Sequence, residues 1–161
     1  MPAPRRSTPV RLVPEEGRAA GELRSPLNHR PAFLVRLAQL RSFDEFYRHF
    51  AGLGVTPASF SVFAMIVANP GIRPGALAED LRIKPSNVAA LVNDLAAAGL
   101  VERTPDQREL RANLLHATRK GRAAWAEMEA AADAVDAGFL EGLSAEEGRT
   151  LLALLRKLLH R

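Results

Sequence analysis

The sequence predicts a mainly α-helical fold carrying one small β-hairpin, and three observations predict it. From Pro31 onward, apolar residues recur at spacings of three and four through most of the chain. One stretch, after Gly99, changes to a roughly alternating period. Prolines punctuate the first two thirds, but none follows Pro105, which leaves the last third free for long helices.

Composition bounds what such a fold can do. With 161 residues, 47% of them hydrophobic, the chain can bury a sizeable core in one domain. It has no cysteine, which excludes disulfide staples, thiol redox sensing and cysteine nucleophiles. His29, His49, His116 and His160 have no metal-ligand spacing, so neither metal nor cofactor is expected. The longest apolar run, Val62 to Ala68, falls far short of the roughly 20 residues of a membrane span. The N-terminus has arginines but no secretory apolar stretch, so a soluble cytoplasmic chain without a membrane partner is expected. The net charge of +4 is unevenly placed: +3 over residues 71–122 and −3 over residues 123–161. A basic middle and an acidic end suggest a polyanion-facing surface and a separate face for something else.

The elements follow in order. Residues 1–26 hold five prolines among Arg, Glu and Gly without apolar periodicity, and read as a disordered basic arm ahead of one domain over 27–161. Phe33, Leu37, Leu40, Phe43, Tyr47 and Phe50 mark one face of a first helix, stopped by Gly52 and Gly54. Thr56-Pro57 is an N-cap followed by proline at the first helical position. The second helix then carries Phe60, Phe63, Met65, Ile66 and Val67 to the break at Asn69-Pro70-Gly71. A short helix runs from Pro74 to Leu81, and another from Pro85 turns Val88, Leu91, Val92 and Leu95 inward until Gly99. Residues 100–104 and 111–116 pair as a hairpin around the polar turn Pro105–Leu110. Thr118 caps a long helix to about Glu141, with Trp125, Met128, Ala132, Val135 and Phe139 at helical spacing. Ser144-Ala145-Glu146-Glu147 fits a capping box for a last, leucine-rich helix.

Helix, tight turn, helix and charged hairpin, over about 55–117, is the order of a winged helix-turn-helix. A helix entering the DNA major groove must present polar residues at its N-terminal end, where Lys84, Ser86 and Asn87 stand. Its first-turn N–H groups favour a nearby phosphate. An arginine at a hairpin tip reaches the neighbouring minor groove, and Arg108 occupies that place. Six leucines on the last helix, Leu151, Leu155 and Leu158 among them, exceed what one buried face needs, which favours burial between subunits.

Residues 31–161 resemble the MarR (multiple antibiotic resistance regulator) family of transcription factors. The resemblance is carried by Leu53-Gly54-Val55-Thr56-Pro57, Asn69-Pro70-Gly71-Ile72, Leu77-Ala78-Glu79-Asp80-Leu81 and Leu95 to Arg103. Asp106-Gln107-Arg108-Glu109-Leu110-Arg111 fits the family's D-x-R-[DE]-x-R wing, and Thr118-Arg119-Lys120-Gly121-Arg122 its entry to the long helix. The resemblance implies a winged-helix homodimer on a platform of the helices at 31–52 and 118–161, and no enzyme. It implies a ligand-released repressor that binds a pseudo-palindromic double-stranded operator. Arg108 would enter the minor groove, Asp106 and Arg111 would shape the wing, and Arg103 would lie near the backbone. Pro85 and Ala90 depart from the polar or basic residues relatives often carry, so base readout would rest on Ser86, Asn87 and Asn93. Lys84, Arg73, Arg103, Arg108 and Arg111 would neutralise phosphates. A small aromatic, anionic or acyl-type effector would draw on Phe43, Tyr47, Phe50, Phe60 and Phe63, with Arg36, Arg41 or Arg48 for a carboxylate.

Plainer roles remain open for several of these residues. Ser86 and Asn87 also suit mere caps, Arg108 a solvated turn, and Asp106 with Arg111 a structural pair. The aromatic residues suit hydrophobic core beside solvated arginines, and Trp125 and Met128 suit interior packing. A winged helix kept only for protein partners, or a transcriptional activator, would carry much the same pattern.

Overall fold

The structure, a computed structural model, describes residues 25–106 and 113–160. Among these residues six helices and two strands follow one another: α1 Pro31–His49, α2 Pro57–Ala68, α3 Pro74–Asp80, α4 Pro85–Ala97, β1 Val101–Pro105, β2 Asn113–Ala117, α5 Arg119–Phe139 and α6 Ala145–Leu159. Expected and observed elements agree to within a few residues. Most of the arm expected over 1–26 lies outside the described residues. The chain groups into two compact units, Met1–Leu40 and Arg41–Arg161, so the boundary falls within α1.

In the first unit a turn at Ser25–Arg30 leads into α1. Leu34, Val35, Leu37 and Leu40 are all exposed there, as is Arg36.

In the second unit the last turns of α1 bury Glu45, Phe46 and Phe50, while Phe43 and Tyr47 stay exposed. The apolar stripe read along one face of this helix is therefore mostly uncovered, half-buried Phe33 and buried Phe50 excepted. Phe46 and Phe50 stack at 4.0 Å, Phe50 meets Phe60 edge-on at 4.8 Å, and Phe60 stacks on Trp125 at 5.8 Å. That ladder joins α1, α2 and α5 through rings whose packing adds to their area burial. Thr56 and Ser59 form a reciprocal capping box that starts α2. Val62, Phe63 and Ile66 of α2, Leu77 of α3, Val88 and Val92 of α4 and Leu115 of β2 make the fully buried centre. Val62, not anticipated as core, is fully buried, whereas Met65 and Val67 pack only partly against it. Met128 and Val135 of α5 extend this core. Ser144 and Glu147 cap α6 reciprocally as expected. No residue of α6 is buried.

Candidate nucleic-acid interface

α3 is seven residues long and holds Leu77 and Ala78 against the core. The chain then turns sharply. Arg82 takes a left-handed backbone (φ 53°), uncommon outside glycine, and the Ile83 N–H donates to the Ala78 carbonyl at 3.0 Å. Ile83 packs partly against the core, which holds the turn in place. Pro85 then opens α4, where its missing N–H costs nothing. Val88, Val92 and Leu95 point inward. Lys84, Ser86, Asn87, Ala90 and Asn93 are exposed on the outside. The polar start expected of a groove-entering helix is thus uncovered. Ser86, Ala90 and Asn93 share one stripe at spacings of four and three.

The hairpin pairs Val101 with Ala117 and Pro105 with Asn113. A third segment, not anticipated from the sequence, bridges it: Ile72 pairs with Leu115, and the Gly71 N–H donates to the Leu115 carbonyl at 2.8 Å. The residue pair before α3 is thereby bonded to the hairpin. Arg103, opposite Leu115 in the register, donates from Nη2 to Asn93 Oδ1 at 2.6 Å. Asp106 is 6% exposed and forms an ion pair with Arg73, the residue at the start of α3. Three residues expected to touch DNA, Arg73, Asn93 and Arg103, and the wing residue Asp106 therefore touch each other in two pairs. Arg108 and Arg111, with the whole segment 107–112, lie outside the described residues.

A joint at the far end of α4 escaped the sequence reading. The N–H groups of Ala98, Gly99 and Leu100 meet carbonyls of the last turn of α4, which leaves their own carbonyls, just past the helix, to find partners elsewhere. Here the Thr118 hydroxyl donates to Gly99 O (2.7 Å), the Thr118 N–H to Leu100 O (3.0 Å) and Lys120 Nζ to Ala98 O (2.8 Å). All three donors stand at the start of α5. The approach is so close that a Cβ on Gly121 would lie 2.1 Å from Leu100 O. The glycine in the first turn of a helix, three residues past a threonine cap, was the available signal.

The residues expected to hold an effector fall in different surroundings. Phe50 and Phe63 are buried in the aromatic ladder and core, with Phe60 half-buried beside them. Tyr47 is exposed and meets Phe46 edge-on. Arg48 Nη1 donates to both oxygens of buried Glu45 (2.9 and 2.7 Å). Arg41 Nη2 donates to the carbonyls of Gly138 and Glu141 at the end of α5. Glu45 fits because Gly138 has no side chain: a Cβ there would lie 2.4 Å from Glu45 Oε2. A separate cavity of about 460 Å³ opens at the α5–α6 elbow, between Phe139, Leu140, Leu152 and Leu155, with Asp136 and Arg149 on its wall. No helix among the described residues is long and apolar enough to cross a membrane.

A helix-turn-helix with an exposed polar helix start and a hairpin beside it is a DNA-binding geometry, and known proteins agree with it. The family model described as "MarR family" matches residues 53–112, from the α1–α2 loop into the hairpin. A putative transcriptional regulatory protein for the hcr operon of Thauera aromatica is 34% identical over 143 residues, covering 88% of this chain and 81% of the relative. The structure of the transcriptional repressor CouR bound to a 23-mer DNA duplex superposes with a TM-score of 0.79 at 32% identity, over 85% of this chain and 98% of that one. A probable transcriptional regulator from Pseudomonas aeruginosa gives a TM-score of 0.77 at 25% identity, over 82% and 98%. These relatives are regulators, not enzymes. On the strength of its winged helix and of these likenesses, the chain belongs to the MarR family of DNA-binding transcriptional regulators.

Proposed function

We propose that the protein is a homodimeric repressor that reads a pseudo-palindromic operator and leaves it when a small aromatic or anionic effector binds. The observation that carries DNA reading is the uncovered start of α4, with Lys84, Ser86 and Asn87 exposed, next to a hairpin bonded to the same core. Ser86 and Asn87 contact base edges in the major groove. Arg108 enters the adjacent minor groove. Lys84, Arg103 and Arg111 supply positive charge to the phosphates. Arg73 and Asp106, held to each other, tie the end of β1 to the start of α3.

The dimer is supported by α6, an amphipathic helix with no buried residue, on which Leu152, Leu154, Leu158 and Leu159 are exposed. Leu151, Leu155 and Leu158 would bury themselves against a second copy. An exposed apolar surface of that extent is a liability in a monomer. Two subunits then set their recognition helices about 34 Å apart, one turn of duplex. The repressor role follows the CouR likeness. The effector would meet the exposed Phe43 and Tyr47 rings beside the Phe46–Phe50–Phe60 ladder. That places it next to α5, whose start is joined to α4.

Footprinting on duplexes that the chain selects from a random pool tests this function. A protected two-fold-symmetric site and a salt slope of about −0.9 per phosphate contact support it. No protection, or a flat salt titration, would favour a winged helix kept for protein partners. Release of the selected duplex by a panel of aromatic acids and their acyl thioesters tests the effector.

A further inference from the structure

The hairpin is attached to the helix-turn-helix from two sides. On the β2 side the attachment is backbone to backbone, through the Ile72–Leu115 bridge. On the β1 side the ion pair of Asp106 with Arg73 ties the end of the strand to α3, and the hydrogen bond from Arg103 Nη2 to Asn93 Oδ1, at 2.6 Å, ties its middle to α4. Asn93 lies on the exposed stripe of α4 that begins at Ser86, about 10 Å further along at 1.5 Å per residue. The bond therefore runs from the groove-facing side of the recognition helix to the middle of the first wing strand. A two-stranded ribbon is compliant by itself. Whether it meets the flanking groove at a fixed angle depends on what braces its free side.

We infer that Asn93 and Arg103 are a positioning pair that sets the angle of the wing relative to the recognition helix, making preference for the flanking DNA depend on Asn93 though Asn93 touches no base. The inference rests on the reading of α4 as recognition helix and of the hairpin as wing. Two features favour it over separate DNA contacts. The amide oxygen of Asn93 that would accept from a base is already occupied, and a charge-assisted bond of this length is among the stronger kinds. Arg103 keeps its other guanidinium N–H groups for a phosphate while it holds Asn93, so the two roles do not compete. Both side chains are exposed, so substituting them leaves the buried core untouched.

The test uses a duplex selected by the wild-type chain from a random pool, remade with only A·T or only G·C pairs flanking the unchanged half-sites. The ratio of the two affinities measures wing reading. In Asn93→Ala that ratio falls roughly three- to tenfold, the worth of one side-chain hydrogen bond. Asn93→Asp keeps an acceptor for Arg103 and so keeps the ratio, although its added negative charge lowers both affinities. Arg103→Ala loses the ratio as Asn93→Ala does, and the double variant loses no more than Arg103→Ala alone. An unchanged ratio in Asn93→Ala overturns the inference. So do losses that add in the double variant, or a relaxed preference at a half-site base pair in Asn93→Ala, since both mark independent contacts. If the wild-type chain itself shows no flank preference, the wing reading fails and the inference falls with it.

Discussion

The winged helix and the C-terminal helix of the second unit contrast sharply in how they hold themselves. The winged helix buries Leu77, Val88, Val92 and Leu115 completely and braces its hairpin through Ile72, Arg73 and Asn93. α6 buries nothing, and its Leu158 is 67% exposed in spite of a reciprocal cap and a strongly amphipathic face. One region satisfies its apolar surface within the chain; the other leaves it outward. The difference teaches that the two serve different contacts: the first is a finished scaffold that presents polar residues, and the second awaits a surface.

The largest effect should come from the joint between the winged helix and the start of α5. Gly121→Ala drives a methyl group into the Leu100 carbonyl, a backbone atom that cannot swing aside. We expect a loss of about 4 kcal/mol or more, in the range reserved for named structural clashes. Urea unfolding followed by circular dichroism measures it. A variant as stable as wild type would mean that α5 is not clamped to the end of α4.

Next comes a direct contrast of leucines. Leu77→Ala should cost about 2–5 kcal/mol, because a fully buried side chain leaves a cavity. Leu154→Ala, on an exposed position, should cost less than about 0.5 kcal/mol in dilute protein. Equal losses would erase the distinction between a finished core and a waiting face.

Replacing Leu155 and Leu158 together by glutamate sharpens the same distinction at the level of assembly. Sedimentation should show monomers, and operator affinity should fall about a hundredfold, about 2.7 kcal/mol, while the winged helix stays folded. A wild-type chain that sediments as a monomer at micromolar concentration would remove the basis for the dimer.

Much of this was legible in the sequence, for local reasons. Thr56, Thr118 and Ser144 cap their helices because each precedes a run with helical period, and capping depends on a few adjacent atoms. Gly99 ends α4 with a left-handed backbone (φ 72°), as its place after the apolar run implies. What stayed hidden depends on partners distant in sequence. Asn93 and Arg103 each suit DNA contact when read alone, and only the fold brings them to 2.6 Å. Arg73 and Asp106 are likewise 33 residues apart. The burial of Glu45 could not be read from a charged residue on a helix, because the space it fills is made by Gly138 on another. The stripe from Leu37 to Tyr47 has helical period, but period does not say whether the surface that covers it belongs to the same chain.

The smallest expected effect concerns the wall of the α5–α6 cavity. Partial desolvation on the cavity wall, and after it the neighbouring Asp133 charge, holds the Asp136 carboxyl above its ordinary value of 3.8. The folded state thus binds this proton more tightly than the unfolded state, so stability falls as pH rises through that window. The ionised carboxylate is a burden fully present above the folded value and absent below 3.8. Asp136→Asn should therefore raise the melting temperature at pH 7, with the gain shrinking towards zero as the pH falls below that value. Thermal melts of both proteins across pH measure the gap. The same series addresses the contrast between the two regions. Asp136 shares its cavity with Leu152 and Leu155, so a second copy seated on α6 would deepen its burial. The gain from Asp136→Asn should then grow with protein concentration in the wild-type background and lose that dependence in the Leu155→Glu, Leu158→Glu background. A gain independent of concentration in both would place the cavity outside any interface between subunits.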